Sequence, residues 1–324
     1  MTSPTPHFAD LLIDRRLLRK KLTFWRVAAI GALIIAVGIA GWRGLRPVAS
    51  FEHHIARINI EGLITGDRDT LDLIGRVARS NASAVIVSIE SPGGTTTGSE
   101  RVYDELRRLS EKKPTVAVVR GMAASGAYIA ALGTDHIVAQ GNSLVGSIGV
   151  LFEFPNFAKL LDTVGVRFES VKSSPLKAAP NGLEPTSPEA RAALAALVSD
   201  AYDWFKNLVK TRRMMSDAEL AAVSDGRVFS GRQGIGLKLI DEMGDEKTAI
   251  SWLEREKNIP HDLNVRDWEK TNRLDRFGLL GSAAALAELA GMSDAAQWLR
   301  QSAFIEQNRV LDGLLAVWQG GAGR

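Results

Sequence analysis

Residues 84–89, Ala-Val-Ile-Val-Ser-Ile, form a nearly unbroken apolar run. A strand with one wet face alternates polar and apolar positions, so a short continuous run predicts a strand buried on both faces. Such a strand needs helices on both sides, and its neighbours are of that kind. "DTLDLIGRVARS" before the run and "GSERVYDELRRLSEKK" after it carry apolar residues at helical spacing, and "PTVAVVRG" reads as a second strand. "RINIEGLI" reads as an earlier strand, with "HIVAQ" and "LVGSIGVLF" as later extended segments. This alternation predicts an α/β domain with largely parallel strands joined by right-handed crossovers. Ser187 followed by Pro188 predicts the capped start of a long helix running to Arg213.

Charge is uneven along the chain. The net value is +3, yet Arg15, Arg16, Arg19, Lys20, Lys21 and Arg26 face only Asp10 and Asp14 in residues 1–26. The remainder is close to neutral, which offers no domain-wide basic face and no reason to expect nucleic acid. Cysteine is absent, which excludes disulfides, thiolate zinc sites and a thiol nucleophile. The five histidines show no helical metal-ligand spacing, so neither metal nor cofactor is expected.

Val27 to Trp42 contains no charged residue. With Arg26 snorkelling and Trp25 and Trp42 at the two interfaces, residues 27–43 read as a membrane anchor in contact with lipid. The basic flank places residues 1–26 in the cytoplasm and the rest on the exported side. Two other readings are a cleavable signal peptide ending near "GIA" and a buried core helix. A main domain then covers residues 50–268, and residues 269–324 form a helical segment. Within it, "AFIEQNRVLDGLLAVW" reads as a helix packed on the domain or on a neighbouring subunit, since a membrane-surface helix would carry a dense basic face.

Parallel sheets place reactive groups in loops beyond the carboxyl ends of strands. Two such loops stand out. In "ESPGGTTTG", Pro92 fixes φ while Gly93 and Gly94 admit conformations closed to other residues, so backbone N–H groups can turn into a cleft. In "GMAASGAYIA", Ser125 stands among small residues at a helix start. It is there either as a cap or as a nucleophile with room for a substrate backbone. A serine nucleophile needs a base. His136 begins an apparent buried strand, which puts it far from Ser125. Lysine serves where burial removes its charge. "VKSSPLKAAP" offers Lys172 and Lys177, the latter bounded by Pro175 and Pro180 among apolar neighbours.

In order and spacing, "SPGG", "GMAASGAYIA", "GSIGV", "VKSSPLKAAP" and "GRVFSGRQGIGLKLIDEMG" resemble the bacterial signal peptide peptidases of the SppA type, over roughly residues 55–265. The match is to the short single-domain form. The resemblance implies a ClpP/crotonase-like fold of repeated β-β-α units and a serine protease with a Ser–Lys dyad. It makes Ser125 the nucleophile and Lys177, not Lys172, the general base. Ser147 would hydrogen-bond the lysine, and the N–H groups of Gly93, Gly94 and Gly126 would form the oxyanion hole. "KAAPNGLEPTSPE" is longer and richer in proline than the usual link to the next helix. Related ClpP proteases carry a histidine after the nucleophile helix, where "NSLVGSIGVLFEF" has none. The resemblance further implies cleaved signal peptides as substrates and a bacterial inner-membrane location with the catalytic domain periplasmic. It also implies a homo-oligomer that pairs Ser125 of one subunit with Lys177 of the next. A crotonase-type acyl-CoA enzyme and a non-catalytic membrane scaffold are the alternatives on the same fold.

Overall fold

The computed structural model describes Trp25, residues 53–270 and the backbone of residues 315–317. The expected membrane anchor and most of the C-terminal segment lie outside the described residues. Contacts divide the chain into two units, residues 1–51 and 52–324, and the second unit contains the sheet.

Three long strands organise it. β1 (His54–Ile64), β2 (Ala82–Thr95) and β3 (Thr115–Ala124) lie parallel in the order β3-β2-β1. They are joined by α1 (Arg68–Ala78) and α2 (Thr96–Ser110). The helices start where their sequences provide caps. Asp67 accepts the Thr70 N–H at 2.9 Å, and Thr95 accepts the Gly98 N–H at 3.0 Å, satisfying amides that an open helix end leaves orphaned. The apolar run is buried on both faces, as its pattern predicts. Val85, Val87 and Ile89 pack with Leu73 and Ile74 of α1 and Val102 and Leu106 of α2. Ala84 and Ile86 point the other way, into a second cluster with Trp252 and Leu253. Alternation along one strand thus feeds two cores.

Each long strand breaks register near its carboxyl end. The β1–β2 ladder shifts between Glu61 and Leu63, and the β2–β3 ladder between Ile89 and Ser91. On the far side of β3 the break is complete. β4 (His136–Ala139) pairs with Val116–Val119, and β5 (Leu144–Gly146) pairs with Met122–Ala124. Two strand segments and a helix therefore recur along the chain, a β-β-α repeat within an α/β fold. The third helix is the short α3 (Gly126–Ala131).

Beyond β5 the chain leaves the sheet. "LVGSIGVLF" reads as one extended segment, but only Leu144–Gly146 is a strand, because Ser147 takes φ 51° and turns the backbone away. α4 (Ala158–Thr163) and a long irregular stretch lead to α5 (Pro188–Arg213), which begins at the expected Ser187–Pro188 cap. Phe205 and Val209 anchor α5 to the core. After α6 (Asp217–Val223), β6 (Val228–Ser230) returns antiparallel to β5. α7 (Gly231–Gly236), β7 (Glu242–Met243), α8 (Glu246–Lys257) and β8 (Val265–Trp268) complete this unit's main body, with β8 parallel to β1. β9 (Leu315–Val317) pairs antiparallel with β2. These three residues were expected within a helix. They extend instead because β2 presents them with an unpaired edge.

Candidate active site

β3 delivers Ser125 to the carboxyl end of the sheet. The residue takes φ 54° and ψ −117°, a combination costly for any side chain but glycine's. Three bonds hold the turn. The Ser125 N–H donates to the Gly146 carbonyl at 2.7 Å, and the Ser125 carbonyl accepts from Tyr128 at 2.9 Å and Ile129 at 3.1 Å. The turn is closely packed, and Ser125 is 1% exposed. Two readings of Ser125 stood open from the sequence, and the geometry speaks against the cap. Its side chain makes no cap bond to α3. Among the described residues its hydroxyl makes only a long contact, 3.5 Å, to the Gly149 carbonyl. A strained strand-to-helix turn whose serine hydroxyl is not spent on capping shares its backbone strain with a nucleophile turn, while the hydroxyl lies covered in this protomer. α3 spans only six residues, so its dipole adds little.

The Gly93–Gly94 turn lies one strand away. β2 pairs with β3 up to Ser91 opposite Ala123, two residues before Ser125. Gly93 takes φ 113°, and the Ser91 hydroxyl accepts its N–H at 3.1 Å while donating to the Gly62 carbonyl at 2.6 Å. A Cβ on Gly94 would stand 1.8 Å from the Ile64 carbonyl oxygen, so only glycine fits. Ser147 follows Gly146 directly and is 6% exposed. The fold thus brings Ser125, Gly126, Ser147 and the Gly93–Gly94 turn to one end of the sheet.

Lys177 stands apart. It is exposed, its N–H donates to the Ser174 carbonyl at 3.1 Å, and its ammonium has no hydrogen bond or ion pair among the described residues. The apolar enclosure expected from its neighbours is not provided by this protomer, since Leu176 is itself exposed. Lys172 is engaged elsewhere, 2.5 Å from Glu184, and this bond holds the Glu184 carboxyl below its usual range. The segment around both lysines presents Leu160, Val164, Val166, Phe168 and Val171 to solvent.

Sequence reasoning missed the support beneath the serine turn. The Ser147 N–H donates to the Arg227 carbonyl at 2.8 Å, Gly146 pairs with Val228, and the Gly231 N–H donates to the Ser143 carbonyl at 2.8 Å. A Cβ on Gly231 would come within 2.2 Å of the Gln140 carbonyl. "GRVFSG" is therefore a strut under Gly146–Ser147. Its signal was its specificity as a motif without an evident local role.

The model of peptidase family S49 matches residues 107–260, a span that includes Ser125, Ser147 and Lys177. "Putative protease slr0021" of Synechocystis sp. is 34% identical over 250 residues, 75% of this chain and 90% of that protein. "Serine protease SPPA, chloroplastic" of Arabidopsis thaliana is 32% identical over 183 residues, 56% of this chain and 27% of that protein. Among solved structures, a mutant of the 1510-N membrane-bound stomatin-specific protease is 16% identical with a TM-score of 0.42, covering 67% of this chain and 98% of that one.

Proposed function

The chain belongs to peptidase family S49, the serine proteases of the SppA type, and from that premise we propose a peptidase whose nucleophile is Ser125 and whose base is Lys177 of an adjacent subunit. One observation carries the reading. The serine turn is complete within a protomer, while the lysine lies exposed and, among the described residues, unpaired on a segment rich in exposed apolar residues. A second protomer laid against that segment would cover it and desolvate Lys177, and desolvation favours the neutral amine that a base requires.

The chemistry is then acyl transfer. Neutral Lys177 Nζ takes the proton of Ser125 Oγ as the oxygen attacks a peptide carbonyl. Negative charge on the carbonyl oxygen is held by the N–H groups of Gly94 and Gly126, joined by that of Gly93 when it leaves the Ser91 hydroxyl. The lysine returns the proton to the departing amine, leaving an acyl-enzyme. Lys177 deprotonates the water that releases it. The Ser147 hydroxyl hydrogen-bonds the lysine and orients it. No metal or cofactor takes part. Residues 27–43 anchor the chain in the inner membrane with the domain periplasmic, and cleaved signal peptides and other apolar peptides are the substrates.

Mixing two inactive variants tests this. Ser125→Ala and Lys177→Ala should each lose peptidase activity while keeping the parent melting temperature. Co-assembled, they should regain part of it, because some sites then hold one intact serine and one intact lysine. Full activity in either variant removes the dyad. No recovery in demonstrably mixed oligomers places both residues in one chain.

A further inference from the structure

We infer that Glu90 is a positioning residue for catalysis: its carboxylate holds a two-residue bulge in β3 that brings Ser125 level with the Gly93–Gly94 turn. This rests on the peptidase reading above. The bulge is read from the register. β3 pairs Val119 with Ile89 and next pairs Ala123 with Ser91, so two steps along β2 are matched by four along β3. On its other side β3 leaves β4 at Val119 and takes up β5 at Met122. Among the described residues, Arg120 and Gly121 therefore have no ladder partner on either side. A strand rises about 3.3 Å per residue, so two extra residues draw everything after them back by about 7 Å. Carried on from the pair of Ser91 and Ala123, the register sets Ser125 level with Gly93. Without the bulge Ser125 would stand level with Thr95, beyond the turn whose N–H groups are assigned to the oxyanion.

A bulge frees backbone groups that a ladder would pair, and here side chains take them. The Gly121 N–H donates to Glu90 Oε2 at 2.9 Å. The buried Ser143 hydroxyl serves the carbonyl side, reaching the Val119 oxygen at 3.0 Å and the Arg120 oxygen. Gly121 has no side chain to keep the carboxylate away, and a Cβ there would collide with Glu90 Oε1. Glu90 also stands opposite Glu61 in the β1–β2 ladder, a pairing of like charges that a sheet resists. Arg120 of the bulge relieves it. Its guanidinium bonds Glu61, and its Nε lies 3.9 Å from Glu90. All three side chains are about half exposed, so these ion pairs by themselves add little stability. What the Glu90 carboxylate contributes is geometry. It is the acceptor for Gly121, four residues before the nucleophile, and acts through the place it gives Ser125.

The test compares Glu90→Ala, Glu90→Gln and Gly121→Ala in the full-length chain. Glu90→Ala should lose about ten- to a hundred-fold in kcat, the cost of a misplaced nucleophile, with KM little changed. Its rate of labelling by a serine-directed phosphonylating probe should fall in step. In Glu90→Gln the amide oxygen still accepts the Gly121 N–H, so most of the turnover and labelling should return. Gly121→Ala evicts the carboxylate while leaving it in the chain. It should match Glu90→Ala, and it carries the test if Glu90→Ala folds poorly. Hydrogen exchange at the Gly121 amide should quicken in Glu90→Ala and stay slow in Glu90→Gln. A role in stability alone would lower the melting temperature and leave kcat and labelling of the folded enzyme at the parent values, which overturns the proposal. Unchanged exchange at Gly121, or a Glu90→Gln chain as slow as Glu90→Ala, also overturns it. Exchange is read without cleavage, so failure of the dyad chemistry leaves that result standing. Parent turnover in Glu90→Ala beside an inactive Ser125→Ala keeps the peptidase and removes only the role of Glu90.

Discussion

The Ser125 N–H donates to the Gly146 carbonyl at 2.7 Å, so the serine turn is fastened to the strand segment that precedes Ser147. Two side chains assigned to the same chemistry are thereby tied through one backbone bond, and the tie depends on Gly146 holding φ 94°. That conformation is open to glycine and costly for other residues.

Gly146→Ala should therefore disturb the site more than one methyl suggests. The added Cβ would stand 3.1 Å from the Phe229 ring, and the positive φ adds strain of about 1–3 kcal/mol. We expect a lower urea midpoint and, at temperatures where the variant is fully folded, a large fall in peptidase turnover. Unchanged turnover in a folded variant would show that the position of the Gly146 carbonyl does not govern Ser125.

At Gly94 the obstacle is backbone rather than conformation. An alanine Cβ cannot remain 1.8 Å from the Ile64 carbonyl, so β1 and β2 must separate locally. Overpacking of this kind costs about 1–3 kcal/mol. Alanine keeps its N–H, so turnover suffers through displacement of that donor, by up to the roughly 10²–10³-fold that losing one oxyanion donor costs. Gly94→Ala should show both effects, read by thermal melting and by kcat. A normal kcat with lowered stability would remove Gly94 from the oxyanion hole.

The same residues show what could be read from the sequence. The run at 84–89 disclosed a doubly buried strand because its pattern is local, and Ser187–Pro188 disclosed a helix start because caps are local. Ser125 could be singled out but not decided. Whether its hydroxyl caps α3 depends on a backbone angle that residue types do not report. The role of "GRVFSG" was hidden for a different reason. Arg227 reaches Ser147 across 80 positions of chain, through an antiparallel pairing that no periodicity announces. Leu315–Val317 was misread as helical because an amphipathic pattern carries no information about a vacant strand edge elsewhere.

His136 makes stability depend on pH. It stacks on Trp252 with ring centroids 4.3 Å apart, with Asp241 3.8 Å from Nδ1 and Glu242 3.5 Å from Nε2. Arg213 lies behind Asp241 at 2.7 Å. Burial outweighs the two carboxylates and lowers the imidazole pKa below its ordinary value of about 6.5. The unfolded chain thus binds a proton at a higher pH than the folded one. The stabilising contribution is complete above the unfolded value and is lost as pH falls through the lowered folded value. Melting temperature should drop between pH 7 and pH 5, with a smaller drop in His136→Gln. Parallel curves for the two proteins would assign the dependence elsewhere.

Assembly should fail before folding does when the exposed apolar segment is charged. Val164 and Val171 are exposed in the protomer, with Leu160, Val166 and Phe168 exposed along the same stretch. Monomers rarely leave large apolar patches in water, and these five side chains all fall within residues 160–171. Because neither side chain is buried within its own protomer, Val164→Asp and Val171→Asp should each change protomer stability by no more than about 0.5 kcal/mol. Between subunits the balance differs, since a carboxylate buried there without a partner costs several kcal/mol. The double variant should keep the parent's circular dichroism while its mass falls to that of one chain. Peptidase activity should vanish with it, because Lys177 would no longer reach a neighbouring Ser125. A monomeric variant with full activity would show that one chain suffices. A variant of unchanged mass would place the subunit contact on another face.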